Sequence, residues 1–390
     1  IPDRWVRATG DFDFMRQESG LTADVIANEV DFFSVHPFTI YKPDLFPDPM
    51  LSERGTYGAA FEVTLSSGAG KPAMIQEMGA SSAQYSPERI AKYVRANLYS
   101  GLAAGSIGVD LWCYTDASPD EWHRTPYLRT PQETQWGMTT WDRQDRPLAK
   151  EFKRFSKIVA QLDLRGIKPA DAQIGVVIPD EWSKTHGDFS KLGLTGPEVI
   201  PYVSTADLDQ TAGGGENAWL MGSVLTSFIL GSRAGLKVDF PREYSDWDTR
   251  PIVMMPSPLL STGTPFLPHV HSIFGERARK YVEAGGFLYA SVAADAAMPE
   301  METVFGARLV DMNMATDITL RIVEPFGSLK PGDTLHFTAA SGSRSLGSLL
   351  EVKGGQVIAV DQDGNPALVA NTVGKGRTLL CAYPIESYLA

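Results

Sequence analysis

Short apolar runs of strand length alternate with segments of helical period through residues 1–165, and this alternation limits the fold more than any other feature of the chain. Such βα repetition builds parallel sheets covered by helices. Trp5 to Asp11 reads as a strand and its loop, and Leu21 to Val30 as a helix. Asp31 to Phe38 is a second strand, followed by a proline-rich loop to Pro49 and a helix carrying Tyr57, Ala60, Phe61 and Leu65. Lys71 to Gly79 is the third strand, an apolar Ala-Met-Ile run that ends on Glu77, with Gly79 letting the chain turn away. Ser86-Pro87 then has the form of a helix start, a capping Ser before Pro at the first position, and that helix runs to about Ala104. Ile107 to Tyr114 is the fourth strand, and Leu148, Phe152, Phe155, Ile158, Val159 and Leu162 repeat with helical period.

Four parallel strands with two open edges would leave rows of unpaired backbone groups, and a closed (β/α)8 barrel needs twice as many strands. The simplest expectation is the second half of a barrel, strands five to eight, with the first half upstream or on another chain. In a parallel barrel the C-terminal strand ends form the catalytic face, which is where Glu77 falls. A strand-end Glu paired with a neighbouring Arg fits the position equally well.

Composition narrows the partners. A net charge of −12 disfavours nucleic acid and anionic membranes, both of which reward a basic face. The longest apolar stretch, Ala218 to Gly231, is short of the ~18 residues that span a bilayer, so it reads as a buried helix. Two cysteines, Cys113 and Cys381, lie far apart in apolar runs and read as buried thiols. His269 and His271 have no acidic or thiol ligands beside them, so no metal is expected.

Beyond Asp171 the pattern restarts. Gln173 to Ile178, Lys237 to Phe240, Pro251 to Met255 and Phe287 to Ser291 read as strands, and Ala218 to Gly235 and Arg277 to Ala284 as helices. That order predicts an open doubly wound α/β sheet over 171–308, with a polar, Gly-rich surface loop between Ile178 and Ala218. Neither cysteine falls within 171–308, and the section has no GxGxxG after a strand, so neither thiol nor dinucleotide chemistry is expected there and no cofactor is implied. Residues 309–390 hold short β-rich runs at Thr319 to Val323, Thr334 to Thr338, Gln356 to Val360 and Thr378 to Ala382, which predict a separate small β domain.

Three motifs in series carry a family resemblance. Asp31-Phe-Phe-Ser-Val-His36-Pro, Lys71-Pro-Ala-Met-Ile-Gln-Glu77-Met-Gly79 and Gly108-Val-Asp-Leu-Trp112-Cys-Tyr-Thr-Asp116 resemble strands six, seven and eight of clan A retaining glycoside hydrolases. Glu133 to Met138 and Arg146 to Phe152 are similar to the segment that closes the barrel in those proteins, and 171–308 resembles the amidotransferase-like, trimer-forming domain of family 42 β-galactosidases. The resemblance implies a retaining β-glycosidase acting on a β-galactoside or related oligosaccharide, with Glu77 as nucleophile and Trp112 as the floor of the sugar subsite. It also implies substrate contacts from His36, Tyr41 and Asp116, and assembly as a homo-oligomer, a trimer by the family's pattern. Many relatives hydrogen-bond the nucleophile with a Tyr two residues after the His36 position, where this chain has Phe38; Tyr41 is the substitute the sequence offers. The family's acid/base Glu follows an Asn at the end of strand four, and the Asn28-Glu29 pair, inside a helical pattern, does not match it. The rival reading is a carbohydrate-binding or assembly protein with an incomplete, inactive barrel.

Overall fold

A computed structural model describes residues 23, 27–38, 50, 52–167, 170–178, 216–256, 273–291, 300–315, 317–338 and 345–388. The chain folds as two compact units that divide at about residue 170. The strand expected at Trp5 to Asp11, Tyr41, the loop that follows Ile178, and His269 and His271 lie outside the described residues.

In the first unit, strands β1 (Phe33–Val35) and β2 (Ala73–Ile75) pair in parallel, with Val35 opposite Ile75. A parallel bridge from Ile75 to Val109 brings in the third segment. The sequence predicts longer strands, but regular pairing stops at Val35 and Ile75, and 107–114 contributes that bridge rather than a strand. Helix α1 (Glu53–Ser67) is capped by Ser52, whose Oγ accepts Gly55 N–H at 3.0 Å. Helix α2 (Pro87–Ala103) starts as its sequence predicts, with Pro87 in the first turn and Ser86 Oγ accepting Arg89 N–H at 3.4 Å. Each cap satisfies a donor that the first turn leaves without an intrahelical partner.

Helix α3 (Pro147–Val159) lays Leu148, Ala149 and Phe155 inward, and Phe155 meets Tyr99 of α2 edge-on at 5.3 Å. The helical period continues to Leu162 in the sequence, but the helix ends at Val159 and Leu162 is exposed. Residues Ala27–Glu29 form a 3-10 turn with Asn28 and Glu29 exposed.

The second unit begins with four parallel strands, β3 (Ile174–Val176), β4 (Val238–Asp239), β5 (Ile252–Met255) and β6 (Phe287–Ser291), with helices α4 (Glu216–Arg233) and α5 (Ile273–Ala284) between them in sequence. All three residues of β3 are buried, as suits a strand covered on both faces. After helix α6 (Met301–Phe305) come β7 (Ala307–Ala315) and β8 (Asp317–Ile322), then β9 (Thr334–Thr338), β10 (Ser345–Val352), β11 (Gln356–Val360), β12 (Pro366–Val373) and β13 (Gly376–Cys381). Nine of these strands make one mixed sheet in the order β4-β3-β5-β6-β13-β12-β11-β8-β9. Strands β7 and β10 form a separate antiparallel ribbon that the sequence pattern does not announce.

The separate β domain expected at 309–390 is not what the chain forms. Strand β13 pairs in parallel with β6 on one side and antiparallel with β12 on the other, so the two expected domains share one sheet and one core. The physical reason is that β6 is apolar along its length and would be an exposed edge without β13. The same core holds Trp247 stacked on Phe274 at 4.6 Å, with Arg277 above the indole at 4.6 Å and pairing with both carboxylate oxygens of Asp248. That guanidinium holds the Asp248 carboxyl below its ordinary range. Tyr281 donates its hydroxyl among the carbonyls of Arg250, Pro251 and Phe287, and a Cβ on Gly286 would stand 2.1 Å from its ring. Cys381 is fully buried, as its apolar run predicts, and burial pushes its thiol up.

Candidate active site

The β1–β2 register sets the site. Because Val35 lies opposite Ile75 and Gln76 N–H donates to Val35 O at 3.0 Å, the residues just past the two strand ends, His36 on one and Gln76-Glu77 on the other, come out side by side. His36 is buried, and its two ring nitrogens face two consecutive residues: Nε2 is 3.1 Å from Gln76 Oε1 and Nδ1 is 3.4 Å from Glu77 Oε2. Both side chains reach the same ring because the chain has left the strand after Ile75, so the pleat no longer sends neighbours to opposite faces. Glu77 keeps 27% of its side chain exposed, enough for a carboxylate to meet a ligand. The alternative of a structural pair with Arg has no counterpart among the described residues around Glu77, where the facing side chain is His36.

The 107–116 segment returns beside this turn. Ile75 N–H donates to Gly108 O at 3.0 Å, Asp110 N–H to Ile75 O at 2.8 Å, and Trp112 N–H to Met78 O at 3.2 Å. Gly79, at φ +151°, lies against Trp112, and a Cβ there would stand 2.7 Å from the Trp112 carbonyl oxygen. Trp112 is 44% exposed, and its peptide bond to Cys113 is cis. Tyr114 and Trp141 are exposed as well, with Arg143 above the Tyr114 ring at 5.6 Å, although Trp141 reads from sequence as a packing residue. Trp136 does pack, edge-on to Phe38 at 5.7 Å, and Phe38 in turn lies edge-on to His36 at 6.4 Å. Tyr93 of α2 donates to Pro37 O at 3.0 Å and fixes the turn after His36.

The family resemblance implies a substrate contact from Asp116, and its surroundings give it another task. Its side chain is only 5% exposed; Oδ1 accepts Gly137 N–H at 2.8 Å and Oδ2 is paired with Arg146. Arg146 also donates to Ser82 Oγ, and Ser82 is tied to Gln135 O through its N–H at 2.8 Å and its hydroxyl at 2.9 Å. One largely enclosed guanidinium, 14% exposed, therefore joins the loop after Glu77, the loop after Trp112 and the start of α3. Sequence reading passes over Arg146 and Gln76: neither stands out by residue type as catalytic, and each matters through what it holds. Cys113, which reads as a buried thiol, is half-buried, and its Sγ–H points to Thr115 O at 3.3 Å. Desolvation first, and then the Asp116 charge, raise its pKa, so it is no activated nucleophile. Among the described residues no cluster of His, Cys, Asp and Glu has the makings of a metal site, and no helix is long and apolar enough to cross a membrane.

Glu77 thus stands just past a strand end, and the segment that carries the exposed Trp112 returns beside the same turn. Residues 230–389 match the family model described as the β-galactosidase trimerisation domain. Among solved structures, the chain is similar to an exo-β-1,4-mannosidase from an Opitutaceae bacterium (18% identity, TM-score 0.63, 92% of this chain and 56% of that one). It is also similar to a β-galactosidase from Rahnella (15%, 0.63, 94% and 50%). A third is a catalytic mutant of a family 42 β-galactosidase from G. stearothermophilus (12%, 0.62, 94% and 49%). The chain thus resembles family 42 β-galactosidases in fold and spans about half the length of the structures it matches. No curated protein matches the sequence.

Proposed function

We propose that this chain carries the nucleophile half of a retaining β-glycosidase that hydrolyses β-galactosides or related oligosaccharides by double displacement. The observation that supports it most directly is the Glu77 carboxylate, partly exposed at the end of a parallel strand and faced by His36 at 3.4 Å. In the proposed reaction Glu77 attacks the anomeric carbon, a general acid protonates the leaving oxygen, and water then cleaves the glycosyl ester. Trp112 supplies the floor for the sugar. The two carboxyl groups of such a site stand about 5 to 5.5 Å apart, and the acid belongs to the barrel's first half, supplied upstream or by another chain. Residues up to about 165 are, on this reading, barrel strands five to eight, and the second unit assembles subunits, as the name of its matched model suggests.

The test is Glu77→Ala in the protein that contains both halves. Turnover should fall by several orders of magnitude, and azide should restore part of it by taking the place of the lost carboxylate. Activity within tenfold of wild type would end the assignment. The 390-residue chain by itself should hydrolyse no aryl β-galactoside or β-glucoside, since it would lack general acid assistance worth about 10² to 10⁴-fold and a closed site. Binding of the sugar without turnover by the two-half protein would favour the rival, a carbohydrate-binding or assembly protein.

A further inference from the structure

We propose that His36 is the positioning residue of Glu77, holding the carboxylate through Nδ1–H, with the Gln76 amide meeting Nε2 on the other side of the ring. The catalytic consequence rests on the reading of Glu77 as nucleophile; the contact itself does not.

The argument is one of donors and acceptors. An ionised carboxylate only accepts, so the ring nitrogen at 3.4 Å from Glu77 Oε2 must carry the hydrogen for the contact to attract. A neutral imidazole has one N–H, which leaves Nε2 as a lone pair that needs a donor. A charged imidazolium has two, and Nε2 then needs an acceptor. Gln76, 3.1 Å from Nε2, can be either, because a half-turn of its amide exchanges NH2 for C=O. A carboxylate or an ammonium at that position could serve one protonation state only.

The ring has little freedom to turn away. It is buried, Phe38 lies against it edge-on, and Tyr93 fixes the backbone of the following residue through Pro37 O. Phe38, which stands where many relatives have a nucleophile-binding Tyr, has no hydroxyl to offer, and His36 brings a ring nitrogen to this side of Glu77. The 3.4 Å separation is a few tenths of an ångström beyond a closed hydrogen bond, within the range that tightens when substrate binds.

Two measurements separate this proposal from the proposed function. In the 390-residue chain labelled with ¹⁵N-histidine, His36, identified by the signal lost in His36→Asn, should show the Nδ1–H tautomer when neutral. An Nε2–H tautomer overturns the contact whether or not the protein is an enzyme. In the protein containing both barrel halves, His36→Asn places an amide N–H where Nδ1 was, and His36→Gln places one where Nε2 was. The Asn variant should keep kcat within tenfold and the Gln variant should lose at least a hundredfold, with KM changed less than threefold in both. Equal losses overturn the positioning role. Absence of turnover in wild type would refute the proposed function and leave the tautomer measurement to decide the contact.

Discussion

Asp116→Ala should destabilise the first unit by about 3–5 kcal/mol, the usual cost of stripping one partner from a buried ion pair. The pair is well inside: its side chains are 5% and 14% exposed. Removing the carboxylate takes an acceptor from the Arg146 guanidinium and from Gly137 N–H together, so the loss includes two hydrogen bonds to a charged group. For a unit of this size, 1 kcal/mol moves Tm by about 2–4 °C, which places the expected drop between about 6 and 20 °C. Calorimetry on the whole chain is the assay, since the transition of the second unit acts as an internal reference. Arg146→Met should cost a similar amount by stranding Asp116. The double variant Asp116→Asn/Arg146→Met should recover more than half, because no buried charge is left without a counterion. Single losses under 1 kcal/mol that add in the double variant would refute the claim that this pair braces the loops after Glu77 and Trp112.

Gly137→Ala should be at least as damaging, since its Cβ would stand 2.2 Å from Thr139 O and 2.3 Å from Asp116 N, both backbone atoms; a Tm within 3 °C of wild type would contradict this. Burial raises Tyr281 to about 12 and Tyr289 well above its ordinary value, so the folded state keeps protons that the unfolded chain releases near pH 10. Stability is therefore full below pH 10 and falls as pH rises towards 12, by up to about 1.4 kcal/mol per pH unit for each tyrosine. Urea midpoints at pH 9, 10 and 11 check it, and a flat series would show that these hydroxyls are not buried in solution.

The strand-and-helix order was legible because each element carries a local signal. Ser86-Pro87 marks a helix start by itself, and the buried run Phe287–Ser291 is uniform enough to read as a strand covered on both faces. Pairing between distant strands has no such signal. Nothing local to Gly376–Cys381 says that its partners are β6 on one side and β12 on the other, so the β-rich runs of 309–390 read as a separate domain where the sheet runs on. Strand β10 went unread for a related reason: Ser345, Gly347 and Ser348 dilute its apolar pattern, and what holds it is the match with β7. At the candidate site, residue type and place in the chain single out Glu77 and Trp112 as expectations. Asp116 could not be separated from them, because the difference lies in Arg146, which is remote in sequence, and in burial.

The junction at β13 also sets a timetable for synthesis. Strand β6 must wait for a partner encoded some ninety residues later, since Phe287 lies opposite Arg377. At about 5–20 residues per second a ribosome takes on the order of ten seconds to cover that distance. During this interval the apolar run Phe287–Ser291 has an unfilled edge, the kind of surface on which nascent chains from one polysome associate with one another. Slowing elongation between β6 and β13 should therefore raise the insoluble fraction, whereas slowing it before β6 should leave yield unchanged.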